Sequence, residues 1–90
     1  VASFKLVIKR SAAKEIESID RKKTRQRVVD RILELAANPR PHGCEKLSGK
    51  FARYRIRQGQ FRILYEIKDE ELVVYVVKVA DRRDVYKRLT

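Results

Sequence analysis

Between Tyr54 and Tyr65 the chain reads YRIRQGQFRILY, with arginine alternating with apolar residues on both sides of a Gln-Gly pair. A guanidinium group binds phosphate bidentately and in fixed geometry, so several on one sheet face suit a phosphodiester. A two-residue turn at Gln58-Gly59 predicts that Arg57 opposes Gln60, Ile56 opposes Phe61, Arg55 opposes Arg62 and Tyr54 opposes Ile63. Tyr54, Ile56, Phe61 and Ile63 then share a core face, while Arg53, Arg55, Arg57 and Arg62 share the other. Like charges directly opposite one another cost ~0.2–1 kcal/mol. A local rule broken in an otherwise consistent hairpin is expected where a functional site is built. The competing reading is that these arginines pair with Glu66, Asp69 or acids elsewhere and form an ordinary solvated surface.

The segment DRRDVY places Asp81, Arg82, Arg83, Asp84 and Tyr86 just past the last apolar run. If that run is a central strand, its end opens beside the hairpin arginines. An arginine there suits charge developing on a phosphate; a tyrosine suits proton transfer, stacking on a base, or plain packing. Glu45 is a candidate base if its loop folds over the hairpin, and a surface charge otherwise. His42 is the only histidine and reads as a solvated loop residue. One cysteine and one histidine exclude a zinc site. There is no Gly-rich phosphate loop, no paired acidic metal site and no Ser/His/Asp arrangement. RNA cleavage by such a chain is expected to use no metal and no cofactor.

The elements that must hold these residues follow from hydrophobic spacing. Phe4, Leu6 and Ile8 alternate with Lys5 and Lys9, which predicts a strand over Phe4–Lys9. Ser11 stands where an N-cap belongs, and Ala12, Ile16 and Ile19 fall on one helical face. In the next helix Val28, Ile32 and Leu35 form one stripe and Val29, Leu33 and Ala36 an adjacent one, a wide apolar face suited to packing on a sheet or a helix. The NPRP run ends that helix. Pro41–Lys50 reads as a loop, followed by strands over Phe51–Arg57, Gln60–Ile67 and Leu72–Val79. Pairing across Asp69-Glu70 puts Leu72, Val74 and Val76 on the core face. Val73, Tyr75, Val77 and Val79 then join Leu64 on the arginine face. An apolar patch of this kind marks a partner site, unless the C-terminal tail covers it. The predicted order is β-α-α-β-β-β, an α+β fold with a helical hairpin packed on an antiparallel sheet.

The totals agree with one domain over residues 1–90. Lys and Arg number 23 against 12 Asp and Glu, a net charge of +11, which calls for a polyanionic partner. The lone Cys44 excludes an intrachain disulfide and fits a reducing compartment. No apolar run approaches the ~20 residues needed to span a bilayer. The N-terminus alternates charged and apolar residues, unlike a secretory signal. A cytoplasmic location without membrane attachment is the expectation.

Three segments, KLSG at Lys46–Gly49, YRIRQGQFRILYEI at Tyr54–Ile67 and VVKVADRRDVY at Val76–Tyr86, resemble the RelE/ParE toxin superfamily, and within it the RelE branch. The resemblance runs through nearly the whole chain, because the order of elements agrees as well. It implies a RelE-like, microbial-ribonuclease-like fold and a toxin of a type II toxin–antitoxin pair. Such toxins enter the ribosomal A site and cut mRNA without a metal, the 2′-OH attacking the neighbouring phosphate. The implied partners are the ribosome, mRNA and a cognate RelB-like antitoxin, through which the complex binds operator DNA. The family's catalytic positions fall on Arg55, Arg57, Arg62, Arg82 and Tyr86, with Arg83 an alternative to Arg82. Arg53, Lys46 and Arg83 are expected RNA contacts, as are the basic residues of DRKKTRQR.

The chain departs from the best-known RelE enzymes in three places. They carry lysines where this chain has Arg55 and Arg57. Arginine stays protonated and cannot act as a base, so the 2′ proton must go to Tyr86 or to Glu45. A basic residue found in some Leu-x-Gly elements is Ser48 here, and a terminal helix is expected to be missing or vestigial. A ParE-like toxin that inhibits DNA gyrase without nuclease activity is the alternative; a catalytically weak RNA-binding module is a third.

Overall fold

The computed structural model describes residues 3–47 and 52–82. In chain order the elements are β1 (Lys5–Ile8), α1 (Arg10–Glu17), α2 (Lys22–Ala37), β2 (Glu45–Lys46), β3 (Arg53–Gln58), β4 (Phe61–Lys68), a single 3-10 turn over Asp69–Glu71, and β5 (Val73–Asp81). The five strands form one sheet in the order β1-β5-β4-β3-β2. The fold is α+β as expected, but the sheet is mixed: β1 runs parallel to β5 and the other neighbours are antiparallel. The loop expected over Pro41–Lys50 contains β2, which extends the sheet past β3.

The helices cover one face. Ala12, Ile16, Val28, Ile32 and Leu35 meet Tyr54, Ile56, Ile63, Tyr65, Ile67, Val74 and Val76 in one core. Leu33, read as part of a second stripe on α2, is 55% exposed; Val28, Ile32 and Leu35 face the sheet, and of the second stripe Val29 packs partly buried against the same core. Helix α1 begins at Arg10 rather than after Ser11: the Lys9 N–H still bonds the Val76 carbonyl at 2.9 Å, and the Lys9 carbonyl already accepts from Ala13 at 2.9 Å. The chain leaves the sheet and enters the helix at one residue, so Ser11 lies inside the first turn. Helix α2 ends at Ala37, two residues before Pro39, as a proline requires.

Two corrections concern the sheet's register. The hairpin turns at Gly59-Gln60, not Gln58-Gly59: Gln58 faces Phe61, Arg57 faces Arg62, Ile56 faces Ile63 and Arg55 faces Leu64. Gly59 has φ +61°, and glycine at the first central position is the type II′ arrangement. The displacement is by two residues, so the core and arginine faces keep their members. In β5, Leu64 faces Lys78 while Tyr65 faces Val76, so Val77 is a bulge. The extra residue reverses the alternation and brings Val79 into the core at 2% exposure, although regular alternation assigned it to the arginine face. Leu72, expected in the core, is 43% exposed and ends the turn with φ 54°. No helix among the described residues is long and apolar enough to cross a membrane.

Candidate functional site

The hairpin of β3 and β4 positions the arginines. Alternation alone sends Arg53, Arg55 and Arg57 of β3 to the face away from the helices, where Arg62, Leu64 and Glu66 of β4 lie opposite them. Two of the four arginines are neutralised locally. Arg53 pairs with Glu66 across the hairpin at 2.6 Å, and Arg55 pairs with Glu45 of β2 at 2.6 Å. Asp69 takes no part, because it belongs to Arg40. The ordinary-surface reading therefore holds for the half of the row farther from the turn.

The half nearer the turn differs. Arg57 and Arg62 face each other directly, and neither meets a carboxylate among the described residues. Among the described residues the Arg62 guanidinium donates only to the carbonyls of Phe61 at 3.2 Å and Gly59 at 3.4 Å. Arg57 is exposed. This facing pair replaces the expected Arg55 and Arg62 pair, and it leaves two guanidinium charges at the tip available to an anion.

The end of β5 arrives at the same tip. Phe61 faces Asp81, and the Arg82 N–H donates to the Gln60 carbonyl at 2.6 Å. Arg82 is exposed. The structure thus brings Arg57, Arg62 and Arg82 to one end of the sheet, with Arg55 and Glu45 two positions back along β3. Lys46 faces Tyr54, a register position on the helix side, and is not brought to the arginine face. Arg83 and Tyr86 lie outside the described residues, as do Ser48 and Gly49 of the KLSG segment.

On the helix side of the tip, a cleft of about 440 Å³ separates the α1–α2 connection from the turn, lined by Glu15, Asp20, Arg21, Thr24, Gln60 and Asp81 among others. Two of these residues were not singled out in the sequence. Glu15 accepts the Val79 N–H at 3.0 Å and pairs with Lys78 at 2.6 Å, so it covers β5 beyond the end of β1. Its signal was position: Glu15 sits between Ala12 and Ile16 on the apolar face of α1, where a carboxylate needs a partner. Gln60 binds Asp81 through its amide at 3.1 Å, and nothing in the sequence marks it. Among the described residues no group of three or more His, Cys, Asp or Glu side chains could hold a metal ion.

Known proteins share this fold. The family model described as the ParE toxin of the type II toxin–antitoxin system parDE matches residues 6–86. No curated protein matches. Among solved structures, the archaeal RelE–RelB complex from Pyrococcus horikoshii OT3 is similar at 24% identity and TM-score 0.80, covering 89% of this chain and 96% of that one. The intact RelBE toxin–antitoxin complex from E. coli is 26% identical with TM-score 0.75, covering 88% and 96%. The isolated E. coli RelE toxin is 24% identical with TM-score 0.75, covering 98% and 100%. The family match takes the ParE name while these three structures are of RelE proteins, and one superfamily holds both. This chain belongs to the RelE/ParE toxin superfamily of type II toxin–antitoxin systems.

Proposed function

We propose that the chain is a ribosome-dependent mRNA endonuclease that acts in the cytoplasm, cutting in the A site and so stopping translation. One observation carries this reading: Arg57 faces Arg62 with no carboxylate among the described residues to neutralise them, and Arg82 is held at the same tip. Two facing guanidinium groups without a carboxylate partner among the described residues, and a third arginine at the same end of the sheet, suit the phosphate of an RNA strand. The match to RelE structures over nearly the whole chain supports it.

In this reading Arg57 and Arg62 grip the scissile phosphate and Arg55 supports them. The 2′ oxygen forms a bond to phosphorus and the bond from phosphorus to the 5′ oxygen breaks, leaving a 2′,3′-cyclic phosphate and a 5′-OH. Arg82, or Arg83 after it, stabilises charge on the phosphate and the leaving oxygen. Glu45 takes the 2′ proton. It lies opposite Arg55, and an ionised carboxylate can accept what an arginine cannot. Tyr86 assists, either in activating the 2′-OH or in returning a proton to the 5′ oxygen. Arg53, Lys46 and the basic start of α2 hold RNA of the ribosome and message.

The inhibitor is a RelB-like antitoxin, by analogy with the RelE–RelB complexes, and the pair reaches operator DNA through it. Leu64, Tyr75 and Val77, half-buried on or beside the arginine face, suit that contact. The test is an in vitro translation reaction with mRNA ends mapped by primer extension. Cuts positioned by codon are expected, and their absence on active ribosomes would sink the proposal. The ParE name of the family match favours a second reading, inhibition of DNA gyrase without RNA cleavage. Loss of supercoiling activity in a gyrase assay, with intact mRNA, would select it.

A further inference from the structure

We infer that Gln60 is a positioning residue that fixes the arginine at the end of β5 relative to the two on the hairpin; the inference rests on the cleavage reading above. Strand β1 ends opposite Val76, so among the described residues the rest of β5 has no strand on that side. Glu15 holds Val79 and Lys78 there, and β4 holds the other side as far as the Phe61 and Asp81 pair. Past that pair the backbone contact among the described residues is a single bond, from the Arg82 N–H to the Gln60 carbonyl at 2.6 Å. The Gln60 side chain reaches the preceding residue, its amide donating to Asp81 at 3.1 Å. One residue therefore holds Asp81 by side chain and Arg82 by backbone. That residue is also the second of the two turn residues, between the strands that carry Arg57 and Arg62. A shift of Gln60 moves Arg82 against the other two cations.

An exposed amide–carboxylate bond adds little to folding stability. Its effect is expected in the rate, because a misplacement of about 1 Å can cost a hundredfold in catalysis. The experiment uses Gln60→Glu, which sets two carboxylates against each other, and Q60E/D81N, which restores a donor and an acceptor in the reverse sense. Gln60→Ala removes the bond without changing charge. Cleavage kinetics on programmed ribosomes are measured together with amide hydrogen exchange at Arg82 and the melting temperature. Gln60→Glu is expected to lower kcat between about ten- and a hundredfold with KM for ribosomes unchanged, and to speed exchange at Arg82. Gln60→Ala should move both in the same direction, and Q60E/D81N should recover both.

Unchanged kcat and exchange in Gln60→Glu, or no recovery in the double variant, would overturn the inference. So would a rate loss that merely follows a fall in melting temperature. Wild-type protein that cuts no mRNA removes the cleavage reading instead. Exchange at Arg82 in the three variants then still decides whether Gln60 holds it.

Discussion

Arginine is used in two ways at the two ends of the sheet. At the end where β4 turns toward β5, Arg40 donates to both carboxylate oxygens of Asp69, at 2.7 and 3.1 Å. It also donates to the Tyr54 hydroxyl at 3.1 Å and lies 5.3 Å from the centre of that ring. Tyr54 stacks on Tyr65, whose hydroxyl donates to the Pro39 carbonyl at 2.7 Å. Each of these polar groups has a partner, and the network ties the end of α2 to β3 and β4. At the hairpin tip, Arg57 and Arg62 face each other without a carboxylate among the described residues. The same side chain closes a structural network at one end and leaves charge exposed at the other. The difference is the supply of acids: Glu45, Glu66 and Asp69 are all taken by arginines farther from the tip.

The sharpest way to break this comparison is to remove the tip cations. Arg57→Ala with Arg62→Ala is expected to abolish mRNA cleavage, a loss of at least about a thousandfold, since each removed donor costs roughly 10²–10³ in rate. Stability should hold or rise by up to ~1 kcal/mol, because facing like charges are relieved. Single-turnover cleavage and a denaturant titration read the two effects. A fall in stability with cleavage intact would make the tip arginines structural, like Arg40.

Glu45→Gln comes next. The amide can still accept from Arg55 but cannot take a proton. A loss of roughly a hundredfold in kcat is expected. An unchanged rate would hand the proton to Tyr86.

At the structural end the expected effect is on folding alone. Tyr65 is fully buried, and Tyr65→Phe leaves the Pro39 carbonyl without its donor. A cost of about 1–3 kcal/mol is expected, or about 4–8 °C in melting temperature per kcal/mol for a domain of this size. Cleavage per folded molecule should not change. Burial also raises the Tyr65 pKa, so the folded state keeps this proton where the unfolded chain loses it. Wild-type stability therefore falls as pH rises past about 10, the ordinary tyrosine value, and Tyr65→Phe lacks that component.

How far such sites were legible depends on what alternation can and cannot fix. Arg53, Arg55, Arg57 and Arg62 were assigned to one face correctly, because period-two alternation decides faces whatever the register. It cannot separate registers two residues apart, since both bury Tyr54, Ile56 and Ile63. The facing pair therefore moved from Arg55 and Arg62 to Arg57 and Arg62 once Gly59 took the first turn position. The bulge at Val77 left one trace, since regular alternation past Val76 would put Lys78 on the core face, but Val76, Val77 and Val79 are alike in type and do not say which residue is extra. Strand β2 has only two residues, Glu45 and Lys46, too few for any period, so the ion pair between Glu45 and Arg55 depended on an element without a sequence signature. The network around Arg40 was hidden because its members come from four separate segments and each residue has an ordinary local role. Arg82 was found through the tail motif, whereas its anchor Gln60 is a turn residue of unremarkable type.

The gentlest probe of the comparison is acid. Arg40 holds the Asp69 carboxyl below its ordinary range, chiefly through the hydrogen bonds between them. The folded state therefore binds this proton less tightly than the unfolded chain. The stabilisation is complete above the ordinary aspartate value, near pH 4, and is lost as pH falls through the lowered folded-state value. The partners are exposed to solvent, so the effect is small and salt should shrink it further. Denaturant titrations of wild type and Asp69→Asn between neutral pH and about pH 2 should converge as acid rises. Arg57→Ala should follow the wild-type curve in shape, because Arg57 has no carboxylate partner to protonate among the described residues. An acid-dependent gap between Arg57→Ala and wild type would show that a carboxylate does pair with Arg57, and the contrast between the two ends would be lost.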